Sequence, residues 1–204
     1  MKLYFTPAFC SLAPHIVVRE LDLPCTLERV SNRTKQTASG ADYRAVNPLG
    51  YVPALELDGG GVLLEVAAIL PYLGDQRPDA GLVPAHGTVA RYQLHATLNF
   101  IATELHKPFS YLMNPATPDP MKAALRDRIG TCLRHLAPRL AGDGHVAGPT
   151  YTVADPYLFT VLGWAQFGQI DIASDGFGDL AAYRSRLAAR PAVTAALAAE
   201  SSRT

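Results

Sequence analysis

The sequence predicts a mixed α/β half followed by an all-helical half. Three observations carry that reading. Residues 1–77 place short apolar runs between helix-patterned stretches, in the order β-α-β, irregular helix, β-β-α. Residues 78–87 shift in composition to Pro, Gly, Ala and His, as a linker does. From residue 88 to 204 nothing reads as a strand, and helical periods take over.

Leu3-Tyr4-Phe5 is short and apolar, like a buried strand. Ser11 is placed to cap a helix whose Pro14 falls in the first turn, where a missing N–H matters little. Leu23-Pro24 closes that helix, and Thr26–Val30 alternates like a strand. Residues 31–50 are polar, with one weak helix near 41–46. Val52–Leu57 reads as a strand with Pro53 at its start. Asp58-Gly59-Gly60-Gly61 is a hairpin turn, and Val62-Leu63-Leu64 returns. Glu65 starts a helix carrying Ile69, Leu70 and Leu73; Pro71 inside it predicts a kink, since an interior proline costs about 3 kcal/mol. In the second half, residues 88–114 form one long helix with a kink or end forced near Lys107 by Pro108. A second helix covers 121–140. Thr152-Val153-Ala154-Asp155 fits an N-capping box, with Asp for the usual Glu, and opens a helix towards Gln169. A last helix covers about 180–200, interrupted by Pro191.

Lys plus Arg and Asp plus Glu number 18 each, so the formal net charge is zero, which argues against nucleic acid as a partner. No run approaches the 18 or so apolar residues of a membrane span. Pro7 and Pro14 interrupt the N-terminal apolar stretch, so no secretory signal is expected. The 3 cysteines make no disulfide framework, and a reducing cytoplasm is the simplest setting. The histidines form no HExxH or Cys/His cluster, so no metal is expected.

The chemistry concentrates at Cys10, where the first strand hands over to the first helix. A thiol at a helix N-terminus has its pKa lowered from about 8.5 towards 7 or below. The motif reads Cys10-Ser11-Leu12-Ala13; alanine stands where a redox pair would carry its second thiol, so this cysteine must work with a thiol from outside. Glu65 and Val66 stand at another strand-to-helix junction, suited to an anionic ligand. Tyr51-Val52-Pro53 offers a strand edge along which a peptide can lie. His106 and Lys107 precede Pro108, and Asn99 stands about two turns earlier on a similar face. Taken singly, each has a plainer reading: an edge-strand proline, a dipole-capping carboxylate, a structural histidine. Cys25, Cys132, Thr152, Asp155 and Tyr157 read as core or folding signals.

In order and spacing, MKLYFTPAFCSLAPHIVVRE, NPLGYVPALELDGG, LLEVAAI, ELHKPF and YTVADPYLF resemble the glutathione transferases of the bacterial beta class. The resemblance implies a thioredoxin-like glutathione-binding domain over residues 1–77, a linker at 78–87, and an all-helical domain over 88–204 that lines the second-substrate site. It implies a cytosolic homodimer that conjugates the glutathione thiolate to small electrophiles. Cys10, His106 and Lys107 are then the catalytic candidates. Ser11, Lys35, Tyr51, Val52, Pro53, Glu65, Val66, Asn99 and Glu104 are the glutathione-binding candidates, with Val52-Pro53 a cis bond. Phe9, Tyr111 and Trp164 are expected at the second-substrate pocket. The same site has a second chemistry open to it, mixed-disulfide exchange through Cys10.

Three departures bear on the reading. Phe5 stands where the family commonly has tyrosine, and alternation turns Tyr4 to the other face. Phe9 makes Pro7-Ala8-Phe9-Cys10 bulkier beside the thiol than the family's Pro-Gly-Ala-Cys. Val66 replaces a Ser, Gly or Ala, keeping the N–H but losing a possible hydroxyl. The alternative is a non-catalytic dimeric carrier or interaction module on the same fold.

Overall fold

A computed structural model describes residues 1–174 and 176–201. Contacts divide the chain into two units, Met1–Val83 together with residues from Arg190 on, and Pro84–Ala189.

The first unit is built on four short strands, β1 (Lys2–Phe5), β2 (Thr26–Arg29), β3 (Ala54–Glu56) and β4 (Val62–Leu64). Their order in the sheet is β2-β1-β3-β4. β1 pairs with β2 in parallel, Leu3 opposite Leu27, and with β3 antiparallel, Leu3 opposite Leu55. Between β1 and β2 runs helix α1 (Leu12–Glu20), and after β4 comes α2 (Val66–Asp75). This is the thioredoxin-like arrangement. Strand alternation sorts the core. Tyr4 packs with Val30, Tyr43 and Ala54 in one cluster. Phe5, fully buried, lies 6.1 Å from the His15 ring of α1. The Tyr4 hydroxyl donates to Glu56 at 2.7 Å, so it is not free for other work, as alternation requires. Helix α2 runs on through Pro71 without ending; the proline is buried inside it.

The last helix is the largest departure from the sequence reading. The stretch read as one interrupted helix is two, α7 (Gly178–Ala188) and α8 (Pro191–Ser201). Pro191 starts α8, where its missing N–H costs nothing. Instead of joining the helical part, α8 packs on α1. Arg190 donates to Glu20 at 2.7 and 3.0 Å. Glu200, 3% exposed, meets buried His15 at 3.0 Å and accepts the Ala8 N–H at 2.9 Å. No hydrophobic period reveals this, because the buried partner is a carboxylate.

The second unit is helical: α3 (Val89–Phe100), a π-helical turn (Ile101–His106), α4 (Lys107–Leu112), α5 (Asp119–Leu136) and α6 (Ala154–Leu162), besides α7. The break expected at Pro108 takes the form of that π-turn. Lys107 N–H reaches back five residues to Ala102 O. Widening the ladder just before a proline accommodates the ring and its missing donor without ending the helix. Helix α6 stops at Leu162, and turns replace its expected continuation to Gln169. Its box is a hub. Asp155, fully buried, accepts Thr152 N–H at 2.8 Å, Val146 N–H at 3.0 Å and the Tyr183 hydroxyl at 2.8 Å.

Candidate functional site

The first unit gathers several of the expected residues. Cys10 sits in the turn that enters α1 and is 7% exposed. Its thiol donates to the Val52 carbonyl at 3.1 Å, which ties the α1 entrance to the start of β3. Val52-Pro53 is a cis peptide bond. The preceding loop is held by side chains that the sequence reading passed over. Tyr43 O–H and Asn47 Nδ2 both donate to Tyr51 O at 2.8 Å. Tyr51's ring is exposed, and the Val52 N–H finds no partner among the described residues. A backbone donor therefore stands open at this edge, beside a carbonyl that carries only a thiol.

Glu65 is the sharpest feature. Its backbone is at φ 69°, ψ 124°, a conformation that side-chain-bearing residues rarely adopt and that costs about 1–3 kcal/mol. It precedes α2, yet its carboxylate makes no cap bond and has no hydrogen-bond partner among the described residues. It therefore makes no capping hydrogen bond to α2. The Val66 N–H opens α2, and a helix N-terminus of ten residues carries partial positive charge. A strained acid beside an open amide suits a ligand with an ammonium and a carboxylate on one carbon.

Lys35 lies near the same loop. Gly50, at φ 66°, leaves room for the lysine stem, since a Cβ there would stand 3.2 Å from Lys35 Cδ. Burial, with Arg44 nearby, lowers the Lys35 pKa. Its ammonium donates to Asn32 at 2.9 Å. Ser11 is a correction. Its hydroxyl accepts from Thr6 N–H and donates to Thr6 O, both at 3.1 Å, and it is fully buried. It does not cap α1; its hydroxyl braces the loop that carries Cys10. Phe9 is 39% exposed.

In the second unit, His106 closes the π-turn. Its Nδ1 lies 2.7 Å from the Tyr157 hydroxyl, and its ring is 5.1 Å from Trp164. Burial, with Lys107 adding like charge, lowers its pKa to about 4. The imidazole is therefore neutral at pH 7 and offers one N–H. Tyr157, read from sequence as core, is the group that orients it; nothing in a helical period tells a working phenol from a packed one. Trp164 is buried against His106 and Phe109, and Tyr111 is 51% exposed. Lys107 and Asn99 are exposed. Glu104 accepts from the Arg128 guanidinium, Nε at 3.1 Å, in an exposed ion pair within this unit. No group of three or more possible metal ligands occurs among the described residues. None of their helices is long and apolar enough to cross a membrane.

Two family models match: "Glutathione S-transferase, N-terminal domain" over residues 9–76 and "Glutathione S-transferase, C-terminal domain" over 100–191. The chain is 42% identical over 200 residues to glutathione S-transferase GstA of Escherichia coli O157:H7, covering 98% of each. It superposes with a TM-score of 0.94 on a sphingomonad glutathione S-transferase complexed with glutathione, at 45% identity and over 98% of this chain and 99% of that one. The bacterial beta class glutathione S-transferase of Sphingomonas chungbukensis matches at 44% identity, TM-score 0.92, over 98% of both chains.

Proposed function

The chain belongs to the bacterial beta class of the glutathione transferase family, and from that premise we propose which of its groups carry the reaction. It is a glutathione transferase, an enzyme that joins the glutathione sulfur to an electrophilic carbon. The γ-glutamyl end of glutathione rests on Glu65 and the Val66 N–H. The cysteinyl backbone pairs with Val52, Lys35 meets the glycyl carboxylate, and Tyr51 and Pro53 shape the edge. The observation that carries this is the unpartnered, strained Glu65 at the open end of α2.

His106 and Lys107 are taken as the groups that favour the thiolate, His106 as a neutral hydrogen-bond donor and Lys107 as charge. Asn99, Phe9, Tyr111 and Trp164 keep their expected places in glutathione and second-substrate binding, within a homodimer working in the cytoplasm. With chlorodinitrobenzene the thiolate forms a C–S bond at the chlorine-bearing carbon, and chloride leaves. Cys10 supports a second reaction. Its thiolate attacks the glutathionyl sulfur of a mixed disulfide, releasing the other thiol. A glutathione thiolate then attacks the Cys10-linked sulfur, forms oxidised glutathione and restores Cys10.

The test is a chlorodinitrobenzene assay beside a mixed-disulfide exchange assay. Wild type should catalyse both. Cys10→Ala should abolish exchange and retain measurable conjugation, whereas His106→Gln should lower conjugation by about 10²-fold or more, the scale of a positioned donor. No conjugation by folded wild type overturns the assignment. Full exchange by Cys10→Ala removes Cys10 from that chemistry.

A further inference from the structure

One peptide plane in the first unit is turned by two side chains that take no part in the chemistry. The Tyr51 carbonyl accepts from the Tyr43 hydroxyl and from Asn47 Nδ2, both at 2.8 Å. The Tyr51–Val52 bond is trans, and in a planar trans peptide the carbonyl and the following N–H point in opposite directions. A Tyr51 oxygen drawn onto these two donors therefore sends the Val52 N–H the other way. That N–H has no partner among the described residues. The Val52 carbonyl accepts the Cys10 thiol at 3.1 Å and, with two lone pairs, has room for a second donor.

Side-chain burial does not set this orientation. Leu49 and Tyr51 are 70% and 59% exposed, and Gly50 between them, at φ 66°, lets the loop turn. Without the two donors, an inward carbonyl is left unsatisfied and rotates towards water, carrying the Val52 N–H inward. The donors themselves are fixed. Tyr43, fully buried, stands in a 3₁₀ turn (Tyr43–Ala45), its ring 5.3 Å from that of Tyr4. Its N–H donates to Lys35 O at 2.8 Å. Burial holds its phenol above the ordinary tyrosine pKa, so the hydroxyl keeps its proton. Asn47 is 4% exposed, and both ends of its amide are engaged: Oδ1 accepts the Leu49 N–H at 3.2 Å while Nδ2 holds Tyr51 O. Asn47 N–H returns to Tyr43 O at 3.0 Å. The two residues form one buried polar unit that reaches Lys35 on one side and the Tyr51–Val52 peptide on the other.

We propose that Tyr43 and Asn47 are positioning residues for glutathione: by drawing the Tyr51 carbonyl inward they present the Val52 N–H to the tripeptide, and so set its affinity without touching it. This role rests on the reading that the cysteinyl backbone pairs with Val52. It concerns capture of the tripeptide, so loss of the two donors raises KM for glutathione and spares kcat.

The test uses the full-length protein. Tyr43→Phe keeps the ring and the backbone N–H and loses only the hydroxyl; Asn47→Ala loses the other donor. With chlorodinitrobenzene as electrophile, each should raise KM for glutathione about fivefold, and the two together at least about tenfold, while kcat and the KM for chlorodinitrobenzene stay within about twofold. Turnover at saturating glutathione also shows that the variants fold. Amide exchange read by NMR is the second measurement. Saturating glutathione should slow exchange of the Val52 N–H in wild type, and the double variant should lose that protection. Unchanged KM, or unchanged protection, in the double variant overturns the role of Tyr43 and Asn47 and leaves the Val52 reading standing. A fall in kcat as large as the rise in KM marks general damage and overturns it too. No protection in glutathione-saturated wild type removes Val52 from the site, and this role with it.

Discussion

Replacing Glu200 by alanine should damage both the fold and the thiol loop, although α8 lies at the far end of the chain. Glu200 is 3% exposed; one carboxylate oxygen meets fully buried His15 at 3.0 Å, and the other accepts Ala8 N–H at 2.9 Å. Ala8 has φ 62° and stands two residues before Cys10, so this bond holds a strained turn in place. Alanine deprives buried His15 of this acceptor, at about 1–3 kcal/mol, and removes the bond to the Ala8 N–H, which is exposed and contributes less, so the cost should be about 1–3 kcal/mol. Urea unfolding measures the stability change, and hydrogen exchange at the Ala8 amide measures the local one. Glu200→Gln retains one acceptor oxygen and should recover part of the loss. A cost below about 1 kcal/mol for Glu200→Ala, with Ala8 exchange unchanged, would refute the reasoning.

The His106 imidazole titrates at about 4 in the fold against 6.5 in the unfolded chain. Below pH 6.5 the unfolded chain takes up the proton first. Stability should therefore fall between pH 6.5 and 4 by on the order of 3 kcal/mol, and His106→Gln should flatten that slope in pH-dependent urea melts. Tyr157→Phe removes the hydroxyl 2.7 Å from His106 and should cost about 1 kcal/mol of stability while altering the imidazole nitrogen shifts in NMR. Asp155→Ala deprives Thr152, Val146 and Tyr183 of one shared buried acceptor and should cost at least about 3 kcal/mol in chemical unfolding.

Most of the strand and helix order is legible in the sequence because it rests on periods and punctuation. Leu3-Tyr4-Phe5, the triglycine turn at 59–61 and the Thr152–Asp155 box each carry their own local signal. The residues that the structure redirects share a different property: their partners are distant in sequence and polar. Ser11 looks like a cap until Thr6 is found on its hydroxyl. Glu104 gives no local sign of its ion pair with Arg128 on another helix. Tyr157 reads as core and Tyr43 draws no reading at all; both are buried, but each spends its hydroxyl on a polar partner, one on His106 and one on Tyr51 O. Pro108 announces an irregularity without saying that it is a widened turn. Such bonds depend on tertiary placement, which hydrophobic patterning does not encode.

The central claim is that glutathione is held by the open backbone donors and the unpaired acid of the first unit. Calorimetric titration of wild type and Val66→Pro with glutathione tests it most directly. Proline is tolerated at the first position of a helix and removes the N–H aimed at the ligand; it also replaces a buried valine side chain and restricts Glu65 before it, so urea unfolding is run beside the titration and Val66→Ala, which keeps the N–H, serves as the control. Wild type should bind saturably, and Val66→Pro about tenfold or more weaker, the loss of a hydrogen bond to a charged group. Identical isotherms, or no heat from folded wild type at millimolar glutathione, would contradict the account.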